Sequence, residues 1–225
     1  MTKEFLKTAI RYVSETWRGK DLNRTLGNFS LREIELRGKV LDVGGGSGRA
    51  SYRRFLKVPA GAAFTNLDGK PEAQPDILAD IDAGGIPLPD SSFDAALAFN
   101  LLEHLADPST ALLEIRRVCR RGGLLVGLVP FLVNVHPDPN DYARFTSQGL
   151  SQMLSAAGFS AVEIVPVGAG PFSAGYYQVE FLLPRVARLA CGPLALSADW
   201  LLGKCLRRDW AARFPLCFRF TATAG

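Results

Sequence analysis

The sequence predicts an α/β fold built on a doubly wound, mostly parallel sheet, and three observations carry that reading. From residue 39 onward, short apolar runs alternate with segments of helical periodicity, the pattern of strands joined by crossover helices. The first run ends in a glycine-rich turn, VLDVGGGSGRA at 40–50, where a strand hands over to a helix with its backbone N–H groups open to a ligand. With 225 residues, 48% hydrophobic and 21% charged, the chain has the size and apolar content of one ordinary globular domain, so a single domain over 1–225 is expected.

Residues 1–37 read as an N-terminal helical cap: in MTKEFLKTAIRYVSETWRGK the apolar Phe5, Leu6, Ala9, Ile10, Val13 and Trp17 fall on one helical face. Charges are interspersed throughout, so no signal peptide is expected there. Strands are expected at 39–43 (KVLDV), 63–68 (AFTNLD), 76–80 (DILAD), 93–99 (FDAALAF) and 124–129 (LLVGLV), with a sixth at AVEIVPV. The clearest helix is STALLEIRRVCRR at 109–121, capped by Ser109, with Leu112, Ile115 and Val118 along one face and Gly122-Gly123 as its stop. A second spans 146–157, capped by Thr146 and stopped by Gly158. Residues 171–213 break the rhythm and read as a helical insertion, two helices split near Gly192-Pro193, before CFRFTATA alternates like a closing strand.

Composition narrows the function classes. A formal charge of +4 and a pI near 9.0 are mild, and no Lys/Arg stripe interleaved with aromatics marks a nucleic-acid surface, so nucleic acid is disfavoured as a partner. Cys119, Cys191, Cys205 and Cys217 never approach CxxC spacing, and with only two histidines a Cys/His zinc site has little material, so no metal is expected. The cysteines read as reduced thiols of a cytoplasmic protein. No run reaches the ~18 uninterrupted apolar residues of a membrane-spanning helix, so none is expected to cross a bilayer.

The glycine turn excludes two common ligand loops. Counting from Gly44 and Gly46, the third position of GxGxxG is Arg49, and no Lys-Ser or Lys-Thr follows to complete a phosphate-gripping loop. What remains is D-x-G-x-G-x-G: Asp42, Gly44, Gly46 and Gly48. An aspartate at the strand tip repels a pyrophosphate but suits a ligand carrying an amino group and a sulfonium, as S-adenosylmethionine does. Asp68, twenty residues past Gly48, closes the second strand where a carboxylate can accept from both ribose hydroxyls. Asp80 and Ile81 close the third, an acceptor for an adenine amine and an apolar side chain for its ring face.

These residues resemble a class I S-adenosylmethionine-dependent methyltransferase, a resemblance that covers about 38–165 through LDVGGGSG, NLDG, ADI, IPLPDSSFDAALAFNLLEHLADP and GGLLVGLVP. It implies a Rossmann-like sheet of seven strands with the last one antiparallel, which CFRFTATA can supply. It further implies that Asn100 contacts the methionine part of the cofactor. HPDPNDYARFTSQGL also resembles a subgroup of bacterial methyltransferases often associated with surface saccharide or small-molecule modification.

Methyl transfer is an in-line displacement at an activated carbon, so positioning and exclusion of water dominate, and a base serves only where the nucleophile carries a proton. Ligands of open α/β sheets bind beyond the carboxyl ends of the strands. Both histidines fall there: His104 in NLLEH, and His136 in the loop holding Asp138, Asp141, Tyr142 and Arg144. His104, His136 and Tyr142 are the candidate catalytic residues, each with a purely structural alternative. The Asn/Asp-Pro-Pro-aromatic motif of exocyclic base amine methylation is missing after the fourth strand, where the residues are Asn100-Leu101-Leu102-Glu103, and no Pro-Cys nucleophile stands there. The expected acceptor is a hydroxyl, carboxyl or amine of a small-molecule, saccharide or lipid-linked compound. Six basic residues and two tryptophans in 171–213 would suit peripheral membrane contact, against a lid or dimer contact. A catalytically silent domain of the same fold and a nucleotide-dependent oxidoreductase are the rival readings.

Overall fold

The computed structural model describes residues 3–48 and 50–225, with side chains from residue 7 onward. Arg49, which breaks the dinucleotide pattern, and the side chains of Phe5 and Leu6 lie outside the described residues. Seven strands, β1 (Lys39–Val43), β2 (Ala63–Asp68), β3 (Ile77–Leu78), β4 (Phe93–Phe99), β5 (Cys119–Pro130), β6 (Phe159–Val167) and β7 (Cys217–Ala224), form one sheet in the order β3-β2-β1-β4-β5-β7-β6.

The pairs β3–β2, β2–β1, β1–β4 and β4–β5 are parallel. β7 runs against β6: the Leu216 N–H donates to the Val167 carbonyl at 2.8 Å and the Gly225 N–H to the Gly158 carbonyl at 3.1 Å. Strand order reverses between β1 and β4, which sets a ligand crevice beyond their carboxyl ends. β1 and β4 are almost wholly buried, as central parallel strands covered on both faces must be, so they read as continuous apolar runs.

The chain's contacts gather into two compact units. The larger, Leu31–Phe131, Val135–Val165 and Phe218–Gly225, holds most of the sheet with α3 (Ile81–Gly84), α4 (Pro108–Val118) and α5 (Ser147–Ala156). Leu41, Val43, Ala96, Ala98, Leu112, Ile115, Leu125, Leu150 and Phe220 are its fully buried centre. A Cβ on Gly127 would stand 2.1 Å from the Phe220 ring and 2.4 Å from the Ala98 carbonyl, so β7 packs against the bare backbone of β5.

The smaller unit, Met1–Ser30, Leu132–Asn134 and Pro166–Cys217, brings the N-terminal cap and the insertion together. Its helices are α1 (Lys3–Trp17), α2 (Leu22–Ser30), α6 (Pro171–Val179) and α7 (Arg185–Leu206). Buried Asp199 of α7 accepts from the Phe172 and Ser173 N–H groups at 2.9 and 2.8 Å, satisfying the open donors of α6. Buried Glu180 likewise accepts from the Leu22 N–H, which opens α2, at 2.8 Å.

Several boundaries differ from those the sequence suggests. Helix α4 is capped by Asp107, not Ser109: its carboxylate accepts from the Ser109 and Thr110 N–H groups, and Pro108 takes the first helical position where its missing N–H costs nothing. It stops at Val118, and Gly122-Gly123 lie inside β5. There Phe93 pairs with Cys119 and Ala95 with Leu124, so two steps of β4 face five of β5 and the glycines absorb the bulge. The insertion does not break at Gly192-Pro193: α7 runs through both, and the break falls at a short turn around 180–184. Gly192 lies beneath the Tyr12 hydroxyl, with 2.0 Å for any Cβ, so packing on α1 holds the helix across the proline.

The apolar face of α1 is not its buried face. Ile10, Val13 and Trp17 are exposed, whereas Glu15 and Thr16 are buried, with Glu15 accepting from the Asn28 amide. In length and composition α7 also meets the requirement for crossing a membrane, although only 11% of its most apolar stretch is buried in the fold.

Burial pushes the Glu180 carboxyl up to about 7, with the charge of Asp21 adding and the Leu22 N–H and Arg188 opposing. The folded chain therefore holds a proton that the unfolded one releases, and the stability this group contributes is full below about 4.5 and lost as pH rises through about 7. Glu180→Gln keeps the acceptor for the Leu22 N–H, so the variant is expected to flatten the decline in melting temperature between pH 5 and pH 8. An unchanged slope in thermal unfolding would refute this.

Candidate active site and cofactor cleft

The glycine loop at the end of β1 has three left-handed positions, Gly44 (φ 71°), Gly46 (φ 58°) and Gly48 (φ 70°), which side chains rarely adopt. Gly45 is glycine for a different reason: a Cβ there would lie 2.6 Å from the Asp42 carboxyl carbon. Asp42, fully buried, is engaged from below. The Tyr52 hydroxyl donates to both its oxygens at 2.8 and 2.9 Å, and Arg53 donates through Nη2 at 2.6 Å and Nε at 3.0 Å. Burial raises its carboxyl above the usual range while Arg53 and Tyr52 pull the other way. The sequence reading placed Asp42 against a cationic ligand; in the structure Arg53 takes that charge, and Asp42 shapes the loop from beneath.

Beyond the strand ends lies a cavity of about 560 Å³, a normal size for a small-molecule site. Gly44, Asp68, Asp80, Ile81, Asn100 and His104 are among its walls, so six of the expected site residues converge on one space. Asp68 is held by the Gly46 N–H on one oxygen and the Lys70 N–H on the other, both at 2.9 Å. Each oxygen keeps a lone pair, and together they match the two hydroxyls of a ribose. Asp80 caps α3 by accepting from the Asp82 N–H at 3.0 Å, leaving its second oxygen open beside Ile81. Asn100 sits in the left-handed region (φ 49°) with its N–H donating to the Leu128 carbonyl, a strained conformation that Asn tolerates and that turns the chain around the cavity.

Gly46 and Gly48 are not among the described cavity walls; Gly46 acts through Asp68, and Gly48 clears Asn66, whose amide a Cβ would meet at 2.8 Å. His104 is on the wall, and its Nδ1 lies 2.6 Å from the Asn140 carbonyl. His136 stacks edge-on against it, ring centroids 5.3 Å apart, without lining the described cavity. Tyr142 does not join them: its ring is 57% exposed, and it is the backbone N–H that engages, donating to the Glu103 carbonyl at 2.7 Å. The main chain of Tyr142 thus tethers the loop to Glu103, and its ring does not line the described cavity.

Three participants escaped the sequence reading. Glu103, fully buried between the histidines, entered it only as a departure from another enzyme's motif. Lys70 pairs with Asp138 across the cavity rim, which raises its ammonium above the ordinary value. Asn140 fixes the imidazole of His104 through its main chain, which no residue pattern reveals.

The loop fits S-adenosylmethionine. A Cβ on Gly46 would meet nothing within 4 Å, so the loop's outer side is open space, and Asp68 and Asp80, carboxylates that can accept from hydroxyl or amine groups, line the same cavity. Comparison with known proteins agrees. Residues 41–127 match the family model described as a methyltransferase domain. An O-methyltransferase of Penicillium expansum is 34% identical over 97 residues, covering 38% of this chain and 34% of that protein. The methyltransferase solved in complex with its activator from Haloferax volcanii superposes with a TM-score of 0.57 at 18% identity, covering 100% of this chain and 99% of that one. A [4+2]-cyclase superposes at 0.55 with 22% identity, over 89% of this chain and 80% of its own. Residues 41–127 thus match a methyltransferase domain, and they hold the strands and the glycine loop that open onto the cavity. The chain spans 30 to 36% of the length of three of the curated relatives it matches.

Asp68→Ala removes both carboxylate oxygens from the cavity wall and frees the Gly46 N–H. A loss of tenfold or more in affinity for S-adenosylhomocysteine is expected by calorimetry, and undiminished affinity would refute the ribose assignment.

Proposed function

We propose that the chain transfers the methyl group of S-adenosylmethionine to an oxygen of a small-molecule acceptor. The observation that carries this reading is that Asp68, Asp80, Ile81 and Asn100 share the walls of one cavity with His104 and Asn140. Bound there, the cofactor supplies a methyl carbon already activated by its sulfonium. The chain's own residues then position and shield: Asp68 and Asp80 orient the nucleoside, Asn100 the amino-acid part, and buried Leu105 and Ile81 keep part of the wall dry. An acceptor hydroxyl must shed its proton, and His104, with the Glu103 carboxylate behind it, brings polar groups that can assist this to the wall. The O-methyltransferase among the relatives supports an oxygen acceptor.

Labelled S-adenosylmethionine offered with hydroxylated, carboxylated and amine compounds is expected to label the hydroxylated set, with His104→Ala lowering kcat by about a hundredfold. Label in the amines alone would overturn the oxygen reading. Cofactor binding without turnover on any compound would favour the silent module.

A second reading concerns where the acceptor is met. Among the described residues, twelve of seventeen exposed large apolar side chains belong to the smaller unit, including Trp17, Phe172, Phe181, Leu182, Trp200 and Leu201. Exposed Arg185, Lys204, Arg207, Arg208 and Arg213 accompany them, with Lys204 4.2 Å above the Trp200 ring. Apolar and aromatic groups beside basic ones suit the interface of an anionic bilayer, and this supports a lipid-linked acceptor and a peripheral position on a cytoplasmic face. The chain is expected to float with vesicles containing phosphatidylserine and to float at least fivefold less as Trp200→Ser. Equal recovery without vesicles would refute membrane contact.

A further inference from the structure

We propose that Glu103, His104 and His136 bind a divalent transition-metal ion at the wall of the cavity; its use in activating an acceptor oxygen rests on the methyl-transfer reading, but the binding itself does not. Glu103 is 0% exposed, and neither of its carboxylate oxygens has a hydrogen-bond partner. A buried carboxylate left so is costly unless a cation answers it. Two imidazole nitrogens approach the same oxygen: His104 Nε2 at 3.7 Å and His136 Nε2 at 3.9 Å from Glu103 Oε1. Both separations are too long for hydrogen bonds. They are near the ~3.4 Å that separates neighbouring ligands about 2.0–2.1 Å from one tetrahedral ion. One ligand atom from each residue falls within 4.8 Å of the other two, so a modest contraction closes the set.

The imidazole of His104 is held in one tautomer. A carbonyl oxygen only accepts, so the 2.6 Å contact with Asn140 puts the proton of the neutral imidazole on Nδ1. Nε2 then turns its lone pair toward the Glu103 carboxylate, an arrangement that repels until a cation sits between them. His136 is held in turn. Its main-chain N–H donates to Asp141 at 2.9 Å, its Nδ1 lies 3.6 Å from the same carboxylate and 3.5 Å from Arg144 Nη2, and Arg144 grips Asp141 with two nitrogens. With the Tyr142 N–H on the Glu103 carbonyl, the segment 136–144 is clamped back onto 103–104. Ligands fixed by a second layer of hydrogen bonds are what metal sites need.

Two imidazoles and one carboxylate favour zinc and its first-row neighbours over magnesium or calcium, which prefer all-oxygen shells. Three protein ligands leave a position open, as catalytic ions require, and His104 lines the cavity where an acceptor oxygen would lie. Counting histidines in the sequence hid the site because its third ligand is a carboxylate that only folding buries.

The test is titration of the chelator-stripped full chain with Zn²⁺ by calorimetry, and with Co²⁺ by its visible absorption. One ion per chain is expected, with affinity falling at least tenfold in Glu103→Gln and in His136→Ala. His136 is only part-buried, so that variant remains informative if Glu103→Gln fails to fold. The absence of stoichiometric binding, or equal affinity in His136→Ala, overturns the proposal. S-adenosylhomocysteine binding, measured on the same samples, separates this from failure of the methyl-transfer reading: retained cofactor affinity without metal sinks the metal site alone.

Discussion

A carboxylate buried beneath a glycine loop is the constraint on which the cofactor side of this molecule depends. Asp42 fills the space under Gly45, and it stays there because Tyr52 and Arg53 satisfy both its oxygens. Arg53 also reaches the Asn66 side chain, whose amide donates to Asp76 at 2.8 Å, so the support continues from β1 under the loop to the residues after β2. Breaking a buried ion pair from one side costs about 3–5 kcal/mol, more than most single contacts in a fold of this size. The loop above can then carry three left-handed glycines and aim the Gly46 N–H at Asp68. Cofactor acid and supporting acid thus lie on opposite sides of one loop.

The acceptor side is organised by another buried carboxylate. Glu103 follows the strained turn at Asn100 and sits between two histidines brought from the ends of β4 and β5. The arrangement is held by main-chain contacts, Asn140 to His104 and Tyr142 to Glu103, which do not depend on the side chains of residues 140 and 142. Chemistry at this wall is therefore set by a few side chains, and the loop is free to vary in the groups it turns toward an acceptor.

Strands were legible where local sequence decides the matter. β1, β2, β4 and β7 fall where apolar runs and alternation put them, and Thr146 caps α5 as its position suggests. Local reading failed where distant packing intervenes: α7 passes through Pro193 because Gly192 fits under Tyr12, and the stripe of Ile10, Val13 and Trp17 faces outward because α1 turns Glu15 and Thr16 inward. That Asp68, Asp80, Ile81, Asn100 and His104 share one cavity was legible because strand ends meet at a switch point. Nothing local to Asp42 shows that Arg53, eleven residues on, engages it from beneath the loop. Glu103 was passed over because burial, which gives a carboxylate its meaning, has no local signature.

The strand order has a consequence for how the chain acquires its structure during synthesis. β7 is made after every other strand yet lies between β5 and β6, with Phe220 pressed on the backbone of Gly127. Until residues 217–224 leave the ribosome, β5 keeps an open edge and β6 has no neighbour to join. The nascent chain must carry the edge of β5 open from residue 130, and β6 unpaired from residue 167, until residue 217 is made, which makes that interval a time of exposure to misassociation and to chaperones.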